Sequence, residues 1–486
     1  MNEKLNDALN EISDKYIAEA AKFRRPKKIY WLGAVAAVLV AAILIGTLYP
    51  LPSGPSIQSP TSPTNTEHGY DLANLVATPS YPQISPYPLQ SNFQTKGDYY
   101  AAFEAWSNGQ KEQYDQPEGY ADSLTDFFRR SICNFLSGEE NQAYSPINLY
   151  QALAMLAQSS GGNSQQQLLD LLGASSIDAL QQQAGHVWNA HYVNDGRSTL
   201  LLANSLWLDD AYTFRKDTVD TIADNYYASV FHGDLGTDSI NDQLRSWLND
   251  NTGDLLTEQT KNTKLSPDTI AALVSTVYFS AQWDTKFFAG ATTDQLFHSP
   301  QGDVTARFMN RSYLNYPYYW DGDFGAIRLG LAGANNMWLI LPNEDKTPRD
   351  VLSSGAFVTM AQAPEKWEQT GRYEIQLSLP KFDISSQTDL VENMKTLGVT
   401  DVFSPNTADL SNLAHGDLYV DKIDHAVRVA IDEDGCTAAA YTVIQAPNGT
   451  MPQEREKIDF ILDRPFLFLI TSRDNLPLFA GVVTNP

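Results

Sequence analysis

The chain is 486 residues long and 43% apolar, with 58 acidic against 33 basic side chains and a formal net charge of −25 at pH 7. That apolar content is ample for a packed core, and the length allows two or three domains. The negative balance excludes nucleic-acid binding and a polyanion cofactor such as heparin, both of which need a basic face.

The charge is unevenly spread. Residues 1–28 hold seven Lys or Arg and five acids, so the remainder carries a formal −27. From Ile29 to Leu48 no charge occurs, and a run of about 20 apolar residues is long enough to cross a bilayer as a helix. Tyr30, Trp31 and Tyr49 flank it as interfacial aromatics do. Arg24, Arg25, Lys27 and Lys28 precede it, and no basic residue follows until Lys96. The positive-inside rule then makes 1–28 a cytoplasmic basic segment and 29–49 a transmembrane helix, with the rest extracellular. The expected location is therefore the cell membrane, single-pass. A cleaved signal peptide competes, but the polar region before the run and the run itself are both long for one.

Residues 50–118 are rich in Pro, Ser and Gln, with Tyr81-Pro82 echoed by Tyr87-Pro88. They read as an extended extracellular linker that gives the next domain reach, with a short helix over 98–115. Residues 119–486 read as one globular domain. Leu124, Phe127, Phe128, Ile132 and Phe135 recur at helical spacing. Ser145-Pro146 opens a second helix, and Leu168, Leu169, Leu171 and Leu172 belong to a third. Leu201–Leu208, Leu273–Phe279, Met337–Leu341 and Ile375–Pro380 read as strands. Helices first and strands later, without alternating βαβ spacing, give the α+β class.

One late stretch stands apart. Asp432-Glu433-Asp434 is an acidic turn, Gly435 follows, and every residue from Cys436 to Ala440 is small. Alternation places Cys436, Ala438, Ala440 and Thr442 on one strand face, with nothing large or charged on it. That face suits entry over a packed core. Thr437, Ala439 and Tyr441 lie on the other. A loop of breakers and polar residues, 445–456, precedes the apolar strand Pro465–Ile470.

No Gly-x-Ser-x-Gly elbow, His-Glu-x-x-His or Walker loop occurs, so no enzyme is indicated. The seven histidines are scattered singly, and His186 and His191 are badly spaced for a metal on one helix face. No cofactor and no metal are expected.

The stretch from Asp432 through Ala440 resembles the reactive-loop hinge of the serpins, the serine protease inhibitor family. Ser145-Pro146, Ala203-Asn204 with Leu206-Trp207, Trp247 with Thr252-Gly253, and Val277-Tyr278-Phe279 with Trp283 and Lys286-Phe287 resemble further landmarks of that family. So do Leu379-Pro380-Lys381-Phe382, Ala408-Asp409-Leu410-Ser411, His425-Ala426, and the ending Pro477–Pro486. The resemblance covers the chain from about Tyr120 to its end. With the apolar run, it suggests a membrane-anchored, bacterial-type member.

The resemblance implies a serpin fold: a large central, mostly antiparallel sheet with further sheets, about eight to nine helices and an exposed reactive-centre loop. It implies a monomeric suicide inhibitor of serine, or alternatively cysteine, proteases. The protease cuts the loop and forms an acyl-enzyme, and the hinge (Glu433, Asp434, Gly435, Cys436, Thr437, Ala438, Ala439, Ala440) inserts into the central sheet. Gly435 is expected to supply backbone freedom at the pivot. Counting from the hinge gives Gly449-Thr450 as the scissile pair. Counting back from Pro465 gives Glu454-Arg455, or the bond between Arg455 and Glu456, which would suit trypsin-like enzymes. Ile444 and Ala446 would suit elastase- or subtilisin-like ones. The family's fold keeps Cys133 and Cys436 apart, so no disulfide is implied. Cys436 stands where the family usually has Thr or Ser; it is a small substitute there, or alternatively a redox-sensitive one. A non-inhibitory member, whose loop is cut as a substrate or presents a binding surface, is the alternative function.

Overall fold

The computed structural model describes residues 74–82, 84–254, 256–261, 263–416, 418–436 and 456–486. These lie in one compact unit, Ser59–Pro486. The expected single-pass membrane location is corrected. Among the described residues no helix is long and apolar enough to cross a membrane, and the 29–49 stretch lies outside them.

Strand β1 (Leu75–Ala77) precedes helix α1 (Lys96–Tyr114), in which the Thr95 hydroxyl caps by accepting from the Asp98 amide at 3.2 Å. Helix α2 (Leu124–Phe135) buries Leu124, Phe127, Phe128, Ile132 and Phe135 along one stripe. Burying each of these stabilises by roughly 1.5–3 kcal/mol over exposure. After β2 (Gln142–Tyr144), Ser145 caps and Pro146 opens α3 (Pro146–Ser159). This helix is buried on nearly every side, as a helix apolar all round must be. Helix α4 (Gly162–Leu172) stops at Gly173, where φ is +67°, and Ser176 caps α5 (Ile177–His191). There follow β3 (Val193–Asn194), β4 (Ser198–Asp209), α6 (Lys216–Asn225), β5 (Ala228–Gly233), α7 (Asp238–Thr252), α8 (Thr257–Thr260) and β6 (Ala271–Gln282).

The C-terminal half is rich in strands. It runs through β7 (Thr293–Ser299), β8 (Gly302–Trp320), β9 (Phe324–Leu331), β10 (Asn335–Pro342), α9 (Pro348–Ser354) and α10 (Ala356–Gln362). Next come β11 (Thr370–Pro380), β12 (Phe382–Asp389), α11 (Val391–Thr396), β13 (Asp424–Ile431) and β14 (Gly435–Cys436). The last are β15 (Lys457–Ile461), β16 (Phe466–Thr471) and β17 (Pro477–Val483). The α+β class is as expected.

Two sheets organise the molecule. The first has eight strands in the order β1-β5-β4-β6-β14-β13-β12, with β3 also on β4. The second has nine, in the order β15-β11-β8-β9-β10-β16-β17-β2, with β7 also on β8. Both are mostly antiparallel; β4 with β5 and β11 with β15 run parallel. The main core lies where the sheets and α3 meet. Phe279 of the first sheet contacts Phe479 of the second at 6.0 Å between rings, and Phe382 stacks on Phe468 at 5.3 Å. Strands β11 and β12 are separated only by Lys381, so one continuous ribbon leaves the second sheet and enters the first.

Candidate functional site

The stretch expected as the hinge begins inside the first sheet. From β13 the chain turns through Asp432, Glu433 and Asp434 and returns as β14, a two-residue strand. Cys436 pairs with Ile431 on one side and with Ala281 on the other, and Gly435 pairs with Gln282. Among the described residues β6 and β13 do not pair with each other; β14 stands between them. The turn is closed by Asp432, whose Oδ1 accepts from the amides of Asp434 at 2.9 Å and Gly435 at 3.2 Å. Its amide in turn donates to the Gly435 carbonyl at 3.0 Å. Short Asp side chains favour such local bonds.

Gly435 meets a steric demand of its own. It is not among the residues with positive φ. A Cβ there would sit 2.3 Å from the Ala281 carbonyl oxygen and 2.8 Å from the Gln282 Cα. The glycine therefore permits β14 to approach β6 closely.

The two acids beyond Asp432 each meet a lysine. Lys286 Nζ donates to Asp434 Oδ1 at 2.9 Å. Lys381 Nζ, at the joint of the β11–β12 ribbon, donates to Glu433 Oε2 at 2.7 Å, and Thr292 Oγ1 donates to Oε1 at 2.8 Å. Burial works to raise the Glu433 carboxyl, but the bonds from Lys381 and Thr292 outweigh it and hold the group below its ordinary range. Trp283 adds two bonds: its indole N–H donates to the Asp432 carbonyl at 2.8 Å and its amide to that of Asp434 at 3.0 Å. Trp283, Lys286 and Lys381 were legible only as family landmarks, and Thr292 was missed. The signal that could have found the lysines is charge complementarity, two cations in an acidic chain against three consecutive acids.

Cys436 points into the core and is 3% exposed. Burial, and then the Asp432 carboxylate, push its thiol up to about 12, so it is protonated and a poor nucleophile at neutral pH. Both Cys436 and Cys133 are free. A cavity of about 40 Å³ adjoins Cys436, lined also by Phe279, Arg428, Val429, Ala430, Ile470 and Phe479. Thr437, Ala438, Ala439, Ala440, Gly449, Thr450, Glu454 and Arg455 lie outside the described residues. At the far end Glu456 is exposed, and its carbonyl accepts from the Glu374 amide at 3.1 Å. Strand β15 then runs parallel to β11, Lys457 opposite Glu374. Both stems of the 437–455 segment are thus tied to the same β11–β12 ribbon.

Further along β13, His425 is buried, and its Nε2 accepts the Ser145 amide at 3.0 Å. The imidazole is therefore neutral, with its proton on Nδ1. The Ser145 hydroxyl donates to the Leu478 carbonyl at 2.7 Å. The hinge-bearing strand is in this way bonded to the start of α3 and, through it, to β17.

Residues 125–486 match the profile of a family described as serpin (serine protease inhibitor). The chain belongs to the serpin family. A putative serpin-Z6C of Oryza sativa subsp. japonica is 27% identical over 384 residues, covering 71% of this chain and 91% of that one. A serine protease inhibitor of Cyanea capillata is 28% identical over 359 residues, covering 72% and 93%. Among solved structures, the thermophilic serpin Tengpin in its native state superposes with a TM-score of 0.68 at 25% identity, covering 76% of this chain and 95% of that one. The serpin fold expected from the sequence is the fold observed; the relatives come from plant, animal and other sources and do not mark a bacterial-type member.

Proposed function

We propose that this serpin inhibits serine proteases by offering residues 437–455 as bait and inserting the cut loop between β6 and β13. The observation that carries the reading is β14. Cys436 already pairs with both strands and Gly435 with β6, and no described ladder joins β6 to β13. An entering segment would extend β14 along a line already begun. The side-chain period of two would put Ala438, Ala440 and Thr442 on the core side with Cys436. Each is small enough to enter without overfilling.

The protease serine attacks the scissile carbonyl, the ester to the upstream part of the loop forms, and the downstream amine is released. While the loop is whole, Glu456 and β15 hold its far end beside β11. Cutting frees the upstream part, which zips into the sheet and gains about 0.5–1.5 kcal/mol net per ladder hydrogen bond together with apolar burial. The tethered protease is carried along before water can cleave the ester. Incubation with trypsin-, elastase- and subtilisin-like proteases tests this. An SDS-resistant complex and release of a C-terminal peptide starting within 445–457 are expected. Clean cutting by all three with no complex would show a non-inhibitory serpin instead.

A further inference from the structure

Two side chains that loop insertion does not use flank the bait. Among the described residues no large apolar side chain is more exposed than Phe288, at 76%, and Leu314, at 75%. Single exposed apolar residues are ordinary, but these two stand one at each stem. The Phe287 amide donates to the Glu433 carbonyl at 3.0 Å, which puts Phe288 next to the upstream stem. Its ring lies over the turn that follows, where a Cβ on Gly290 would meet it at 2.6 Å. Leu314 lies beside the downstream stem. There β8 carries one extra residue: Tyr316 pairs with Tyr373 and Tyr313 with Ile375, so Leu314 and Asn315 together face Glu374. Such a bulge re-aims a side chain. Asn315 takes the left-handed conformation, with φ +57°. Arg372 Nε holds it there by donating to its carbonyl at 3.1 Å and to its Oδ1 at 3.3 Å. On the other side of β11, the Glu374 amide donates to the Glu456 carbonyl.

The two side chains share one frame. Arg311, three residues before Leu314 on β8, donates through Nη1 to the carbonyls of Thr285 at 2.7 Å and Lys286 at 3.3 Å. That ties β8 to the turn that carries Phe288, and groups already held in place lose little freedom on docking. Leu314 is two strand spacings from Glu456, about 10 Å. A protease that covers about 800 Å² of its inhibitor reaches about 16 Å from the centre of the contact. Seated at Glu454-Arg455 or Arg455-Glu456, it would take in Leu314. We propose that Phe288 and Leu314 form a second contact surface for the target protease, outside the bait, which sets which protease reaches the bait fastest. The occupant is a serine protease with apolar side chains beside its cleft. The inference rests on reading 437–455 as bait, and not on insertion of the cut loop.

The test uses full-length wild type, Phe288→Ser with Leu314→Ser, Phe288→Tyr with Leu314→Met, and a control, Tyr100→Ser, whose ring is 62% exposed. The second-order rate constant for cutting the loop is measured with trypsin-, elastase- and subtilisin-like proteases, with thermal midpoints alongside. With at least one of the three, the double serine variant should be cut about tenfold more slowly than wild type at an unchanged midpoint. The conservative pair and the control should stay near the wild-type rate. Equal rates for wild type and the double serine variant with all three proteases would overturn the proposal, as would an equal fall in the control. A wild-type dimer dispersed by the double serine variant would overturn it too, by giving the two side chains to a second copy of the chain. Cutting is scored whether or not a stable complex follows. A loop cut without complex formation therefore defeats the insertion reading, while the rates still decide this one.

Discussion

Acid should loosen this serpin at His425. The imidazole sits in the hinge-bearing strand β13, fully enclosed, and burial alone pushes it down from 6.5 to about 4. Its Nε2 can accept the Ser145 amide only while unprotonated. A group whose folded value lies below its unfolded one contributes stability that is complete above the unfolded value. That contribution disappears as pH falls through the interval towards the folded value. The window is therefore about pH 6.5 down to 4, and at 1.36 kcal/mol per unit the loss is about 3 kcal/mol. Carboxylates also titrate at the lower end, so the wild type must be compared with His425→Gln, which offers an amide oxygen to Ser145 and does not titrate. Urea or thermal midpoints measured from pH 7.5 to 4 should fall more steeply for the wild type, with the two curves separating below about pH 6.5. Parallel curves would refute the assignment of this histidine as a buried, neutral acceptor.

Gly435→Ala should push β14 off β6, because the new Cβ meets backbone rather than a movable side chain. The cost is about 1–3 kcal/mol, seen as a thermal midpoint lower by about 2–6 °C and faster hydrogen exchange at Ala281 and Cys436. Ala438→Arg should convert the inhibitor into a substrate cut at the same bond, since a charge would be forced onto the core side of an entering strand. Ala439→Arg, facing the other way, should leave the stoichiometry of inhibition near that of the wild type.

Much of the helical half was legible because its signals are local. Phe127, Phe128 and Ile132 mark one face of α2 by spacing alone, and Ser145-Pro146 marks the start of α3 to the residue. Strands β6 and β10 appeared where dense apolar runs lie, although both extend beyond them. The long β8 was not legible. Polar residues, Asn310, Ser312 and Asn315, interrupt it, with Pro317 near its end, and although β7 precedes it across a short turn, its long partner β11 comes from far along the chain. The stretch expected as the hinge stood out by its small residues, but the bonds that hold its acidic turn did not. Lys381 and Glu433 are 52 residues apart, and charge complementarity alone does not say which lysine meets which acid. Gly435 was expected as a pivot; the close approach of β6, which leaves a Cβ at that position only 2.3 Å from the Ala281 carbonyl oxygen, was not legible. The helix expected over 98–115 is present as α1, but the docking of Tyr81 was not legible, because Pro-rich composition signals extension and its ring partners, Trp188 on α5 and Tyr192 just after it, lie far along the chain.

Loop insertion between β6 and β13 is tested most directly by cutting the full-length chain once within 445–456 and comparing it with the uncut protein. Amide hydrogen exchange is read along β6 and β13, and the thermal midpoint is measured alongside. Insertion predicts strong new protection on the facing edges of both strands and a midpoint raised by tens of degrees, because a complete ladder is added to the sheet. A single clean cut that leaves both the exchange pattern and the midpoint of the uncut chain would contradict it.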